Sequence, residues 1–262
     1  MINTEILEHL VRLAIYSTAI KREKPVSVML IAPPEHGKTE VLKKFAFIST
    51  VKIMTDFNTF VFSEYANEYQ LGLKKTIIIP DFIRVIKKKY SAQANSLTIM
   101  NAITEEGWTG KLPLGQVTSK PIFANIITAL TTEELKDKRH KWNKIGFLSR
   151  FIPVTYSYSK LTVRQIREYI KDRIYHTDKP YDFKVPKIEI DVTLPKELAR
   201  EIENLSLDIS EEENILGFRL QRQLQVLAMS NAVASQRNLV INEDIKIIEK
   251  ITKFINYNFN PI

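Results

Sequence analysis

Residues 26–31, Val-Ser-Val-Met-Leu-Ile, run without a break into Ala32-Pro-Pro-Glu-His-Gly37-Lys38-Thr39, and this junction restricts the fold more than any other stretch. The run suits a strand covered on both faces. Helical spacing follows from Thr39 to Phe45. The octet fits G-x-x-x-x-G-K-[ST] everywhere except its first position, where Ala32 stands for glycine. At such a junction successive backbone N–H groups at a helix start point at one place and favour an anion there. In this pattern Pro34, Glu35, His36 and Gly37 wrap a polyphosphate, and Lys38 pairs with its β- and γ-phosphates. The Thr39 hydroxyl ligates Mg²⁺.

The remaining pattern is one of alternation. Residues 3–18 carry an apolar stripe at Ile6, Leu7, Leu10, Leu13, Ala14 and Ile15 that predicts a helix. Strands are predicted at 26–31, 60–62, 75–79, 121–130 and 151–156, with helices at 39–47, 82–90 and 96–106. Strands alternating with helices after a phosphate loop give an α/β fold, a doubly wound and mainly parallel sheet. Beyond Ser157 the character changes: a helix at 162–175, a connector marked by Pro180, Pro186 and Pro195, then helices at 196–205, 214–235 and 243–259. The expected division is a nucleotide-binding core over residues 1–158 and a connector with a small helical lid over 159–262.

Several chemistries drop out. The 262 residues contain no cysteine, which removes disulfides, thiolate metal sites and cysteine nucleophiles. His9, His36, His140 and His176 form no H-E-x-x-H, and Ser149 lacks a G-x-S-x-G elbow. No apolar stretch approaches the ~18 residues of a membrane span, so a soluble, cytoplasmic protein without a membrane partner is expected. Lys plus Arg number 38 against 30 Asp plus Glu, a net charge of +8, which favours a polyanion such as nucleic acid as partner. Arg84, Lys87, Lys88 and Lys89 form one local basic cluster; Lys136, Lys138, Arg139, His140, Lys141 and Lys144 form another. Taken singly, each reads better as a solvated helix or loop face.

The layout over about residues 20–255 resembles the AAA+ ATPases, most of all the branch with minichromosome maintenance helicases. Ala32–Thr39 matches the Walker A loop, and Thr76-Ile-Ile-Ile-Pro-Asp81-Phe82 sits where the Walker B strand belongs. Residues 100–115 are similar to that branch's helix and β-hairpin, and Phe123–Thr131 to its sensor 1 strand, with Thr131 or Thr128 as the polar tip. Gly146-Phe-Leu-Ser-Arg150-Phe resembles the L-S-R-F stretch that supplies an arginine finger. Residues 222–227 and 240–245 are similar to the sensor 2 helix and the lid's closing helix; Arg219 competes with Arg222 for the sensor role.

The resemblance implies ATP and Mg²⁺ as cofactors, Thr39 and Asp81 on the metal side, and Asp81, Thr131 and Arg150 as catalytic residues. Arg222 would contact the nucleotide. It also implies a head-to-tail homo-oligomer, ring or filament, because the finger acts on a neighbour's phosphate. Trp108 and Lys111 on the hairpin would contact DNA, or Gly107–Gly110 would be a tight turn over a buried tryptophan. One departure stands out: the family's Asp-Glu pair is here Pro80-Asp81 or Asp81-Phe82, so a single acid remains. The expected function is ATP-driven action on DNA, as motor, loader or initiator-like remodeller. A nucleotide-gated interaction protein that hydrolyses little and a chaperone-like ATPase acting on protein are the alternatives. The small size suits a replication factor of a mobile element, virus or plasmid, with target choice supplied by a protein partner.

Overall fold

The computed structural model describes residues 4–110, 118, 120–173 and 179–259. Five strands form one sheet: β1 (Ser27–Ile31), β2 (Val51–Ile53), β3 (Thr76–Ile79), β4 (Asn125–Leu130) and β5 (Phe151–Thr155), in the order β2-β3-β4-β1-β5. All four pairings are parallel. The helices are α1 (Glu5–Tyr16), α2 (Lys38–Lys43), α3 (Thr59–Gln70), α4 (Ile83–Ile86), α5 (Tyr90–Asn101), α6 (Thr132–Lys136) and α7 (Arg139–Lys144), followed by α8 (Lys160–Lys171), α9 (Lys196–Glu213), α10 (Phe218–Ala234) and α11 (Asn242–Thr252). Among the described residues no helix is long and apolar enough to cross a membrane.

The continuous apolar runs have a simple cause: alternate strand residues feed two cores. Val28, Leu30, Ile127, Ile152 and Val154 pack on the face covered by α1, α2 and α9–α11. Met29, Ile31, Ile77, Ile79 and Ile126 pack on the other face, with Phe62 of α3, Leu97 of α5 and Trp142 of α7. With both faces covered, no strand position is left to be polar except at special points. Asn125 is one: its buried amide donates to the carbonyls of Ala14 and Val26 and ties α1 to the sheet. The doubly wound α/β expectation holds in this form.

Helices α9, α10 and α11 share one apolar core with α1 and the sheet. Leu220, Leu224 and Leu227 of α10 and Ile248 of α11 belong to the same apolar cluster as Leu10 of α1 and Leu30 of β1. Asp244 is buried beneath α11's first turn, where Arg237 meets it through two hydrogen bonds of 2.7 and 2.9 Å.

Some predicted elements change. Residues 60–62 read as a strand but lie in α3, because the Asn58 side chain caps that helix through Val61 N–H. Phe62, Ala66 and Tyr69 then fall on one buried face at helical spacing. The strand that does occur there, β2, has only three residues at the sheet edge. The two helices predicted over 82–106 become α4, α5 and a π-helical turn, Ala102–Glu106.

Candidate functional site

The carboxyl ends of β1, β3 and β4 lie side by side, and each leads into a polar segment. Ala32 N–H donates to the Leu130 carbonyl, and Phe82 N–H to that of Ala129. The loop after β1 therefore starts against the last residues of β4, while the exit of β3 is held on β4's other side. In open α/β sheets this edge is where ligands bind.

Within the loop the backbone turns left-handed at Glu35 (φ 62°) and at Gly37 (φ 69°), not at Ala32. That explains why alanine is tolerated in place of the motif's first glycine: its position is buried but conformationally ordinary. Gly37 immediately precedes α2, so Lys38 and Thr39 occupy the first helical positions. Lys38 is buried, and its Nζ donates to the carbonyls of Ala32 and Pro33, both at 2.7 Å. Burial pushes its ammonium pKa down; the carboxylates of Glu134, Glu133 and Asp81, in that order, oppose the shift. Thr39 Oγ1 faces the Pro80 carbonyl at 3.4 Å, which sets the hydroxyl beside the segment carrying Asp81. Asp81 is exposed, and its Oδ1 accepts from Ile83 N–H at the start of α4.

Two features of this edge were not foreseen. Tyr156 and Tyr158, just beyond β5, both donate their hydroxyls to the His36 carbonyl, at 2.8 and 2.9 Å. The Tyr158 ring also stacks on the His36 ring at 4.7 Å. The loop is thus clamped at its apex. No local sequence signal marks these tyrosines, since strand order brings them there. Glu133 and Glu134 do carry a signal, because Thr131-x-x-Glu134 is a capping box. Thr131 Oγ1 accepts from Glu134 N–H, and the Glu134 carboxylate accepts from Thr131 N–H. Thr131 therefore stands at the exit of β4 beside the loop, with its hydroxyl engaged in starting α6. Thr128, its competitor, is fully buried and donates to the Ile79 carbonyl, a bond inside the sheet.

Arg150 and Arg222 are not part of this edge. Arg150 immediately precedes β5, at the amino end of the parallel sheet, and donates to the Gly146 carbonyl. Burial lowers its pKa, helped by Arg219 and opposed by Glu105 and Glu106. Arg222 pairs with Glu23 at 2.9 Å, in the segment leading into β1. Arg222 therefore lies away from its own chain's phosphate loop, on a helix, α10, whose Leu220, Leu224 and Leu227 share an apolar cluster with α1. Arg219 reaches Glu105 at 3.6 Å and Ser149 Oγ at 2.5 Å, and Lys24 pairs with Glu105 at 2.8 Å. Lys24, Arg150, Arg219 and Arg222 thus line one cleft of about 250 Å³ around Glu105.

Trp108 is corrected as well. Its side chain is 9% exposed and meets Phe62 edge-on at 5.1 Å, so it is unavailable for stacking on a strand. A pair of 2.9 Å backbone bonds joins Trp108 to Ile122 as the base of an antiparallel pairing, and Gly110 lies against the indole so closely that a Cβ there would sit 2.3 Å from it. The tryptophan is thus buried at the foot of this pairing. Lys111 lies outside the described residues.

No protein-family model matches this chain, and no curated protein matches its sequence.

Proposed function

We propose that the chain binds Mg²⁺–ATP on residues 32–39 and works as an ATPase of the AAA+ type, assembled head to tail and acting on DNA. The observation that carries this reading is the joint placement of Lys38 Nζ inside the loop and Thr39 Oγ1 against the exit of β3, where Asp81 stands. Oxygen donors of this kind suit Mg²⁺, which is commonly held by one or two carboxylates together with substrate phosphates. Among the described residues no group of three or more His, Asp or Glu converges on a metal position, and a shared, hydrated ion needs none. When bound, the ion would neutralise charge on the phosphates.

Lys38 would exchange its two carbonyl partners for phosphate oxygens, and Thr39 and Asp81 would hold the ion's hydration shell. Asp81 and Glu133 are exposed carboxylates facing Lys38 and would be able to orient a water molecule toward the γ-phosphate. The remaining charge would come from Arg150. Because Arg150 lies at the opposite end of the sheet, it serves a neighbour's phosphate and not its own. Lys24, Arg219 and Arg222 line the same cleft and would face that neighbour too. Helices α9–α11 would supply the equivalent of a lid domain.

Titration calorimetry with Mg²⁺–ATP tests the reading. Binding by the native chain and its loss in Lys38→Ala are expected; no heat from the well-folded native chain, or equal heat from the variant, would overturn it. The lone Asp81 favours one second reading, a nucleotide-gated interaction protein with little turnover. Binding without phosphate release, at every protein concentration that allows assembly, would select it.

A further inference from the structure

Two cationic segments about fifty residues apart in sequence come together on one surface. Residues 84–90 cover α4 and the first residue of α5, and residues 138–144 cover α7. The Lys141 ammonium lies 3.9 Å from the centroid of the Tyr90 ring, which joins them. Beneath, Phe82 and Trp142 meet edge-on at 5.7 Å, so both segments stand on one apolar floor. Facing outward are Arg84, Lys87, Lys89, Lys141 and Lys144, all exposed. None of these five is in an ion pair among the described residues, whereas Lys88 turns inward to Asp56 and the Phe57 carbonyl. Asp137 is the exposed acid between α6 and α7, with Asp81 and Glu133 toward the phosphate loop.

Tyr90 is 70% exposed although Lys141 already covers one of its faces. Its other face is available to a planar group. A polyanion with bases satisfies both halves of this surface at once: phosphates for unpaired cations, a base for the ring. An anionic membrane fits less well, because Ile145 is the one exposed large aliphatic side chain on these segments and membrane-lying faces carry several apolar anchors.

We infer that α4, the start of α5 and α7 form a binding surface for single-stranded nucleic acid. Arg84, Lys87, Lys89, Lys141 and Lys144 contact phosphates and Tyr90 stacks on a base. The inference rests on the reading above only for the class of ligand; the location is independent of ATP. It also supplies a coupling route. α4 begins two residues after Asp81, and α7 follows α6, which carries Glu133 and Glu134, so a bound strand would touch the helices that directly follow the acids of the phosphate edge.

The test is fluorescence anisotropy of a labelled single-stranded oligonucleotide, titrated with the full chain at several salt concentrations. The triple variant Lys87→Ala/Lys89→Ala/Lys141→Ala should flatten the log Kd–log salt slope by about 2, at ~0.7 per phosphate contact. Tyr90→Ala should weaken binding about tenfold with the slope unchanged, within the range reported for base stacking. Arg164→Ala/Arg167→Ala/Lys171→Ala, an equal charge change on α8, should leave affinity and slope as they are. Calorimetry with Mg²⁺–ATP on the same proteins keeps the two readings apart: the surface variants should bind ATP like the native chain. If the native chain binds no ATP but the triple variant still loses the oligonucleotide, the nucleotide reading falls and this surface stands. Unchanged affinity and slope in the triple variant, equal loss in the α8 variant, or binding to phosphatidylserine vesicles in place of the oligonucleotide would overturn it. Circular dichroism of each variant excludes misfolding as the cause.

Discussion

At the carboxyl end of β1, a single cation, Lys38, is surrounded by Asp81, Glu133 and Glu134. At the amino end of the sheet, Lys24, Arg150, Arg219 and Arg222 crowd round Glu105 and Glu23. The five-residue strand between these ends spans ~17 Å at about 3.3 Å per residue, too far for any side chain to cross. The two ends are opposite in charge and neither is balanced locally. What the contrast teaches is that a triphosphate in the loop would have one cation from its own chain, while a surplus of cations waits on the far face. Only a second chain, stacked end to end, would bring the two together, and that is why the proposed assembly is head to tail.

The contrast can be broken most sharply at Arg150. Arg150→Ala should lower phosphate release by about a thousandfold, the scale of an arginine supplied in trans, while calorimetric ATP affinity stays near native. Mixing it with Lys38→Ala should restore part of the rate, because one junction in a mixed assembly then holds both an intact loop and an intact arginine; a flat rate at all mixing ratios would contradict action between chains. Lys38→Ala alone should weaken Mg²⁺–ATP by roughly a hundredfold, as loss of a buried charged partner does. The pH profile sharpens the same end. Burial holds the Lys38 ammonium below the ordinary lysine value of about 10.4. Since the protonated form takes the phosphate, affinity should fall as pH rises, and the fall should begin before an ordinary lysine would titrate. A Kd constant up to that pH would contradict the buried position. The smallest effect belongs to Arg222→Ala: its pair with Glu23 is solvent-screened, so thermal unfolding should report less than about 1 kcal/mol. A large stability loss would mean that the far end is a structural network and not a contact face.

The strands were legible because a sheet covered on both faces leaves no polar alternation to misread; Ile77, Ile78 and Ile79 announce themselves. Edge strand β2 was not, since its middle residue is Lys52, whose ammonium sits 3.5 Å from the centroid of the Tyr65 ring. Phe60–Phe62 misled for the opposite reason: a Phe-Val-Phe triplet has strand propensity, and the Asn58 cap outweighs it. In the site, Lys38 and Thr39 could be read because loop and helix are consecutive in the chain. Tyr156, Tyr158, Glu133 and Glu134 could not be placed there without knowing that β4 lies between β1 and β3 and β5 on the other side of β1. Where Arg222 stands could not be read, because sequence gives a helix's phase but not its partner; burial of Leu220, Leu224 and Leu227 in the cluster shared with α1 decides which end Arg222 reaches. The basic clusters were each visible, but their meeting at Tyr90 was not.

The inward-held lysine has a further consequence. With Lys38 Nζ on the carbonyls of Ala32 and Pro33 and two tyrosine hydroxyls on that of His36, the loop's carbonyls are satisfied from within the chain. On the proposed function an anion there would take Lys38 Nζ from the Ala32 and Pro33 carbonyls, so capture would be a substitution whose speed depends on how fast the ammonium swings away. Occupancy would then be governed by a local opening step, and saturation of the observed association rate at high ligand concentration would be its kinetic signature.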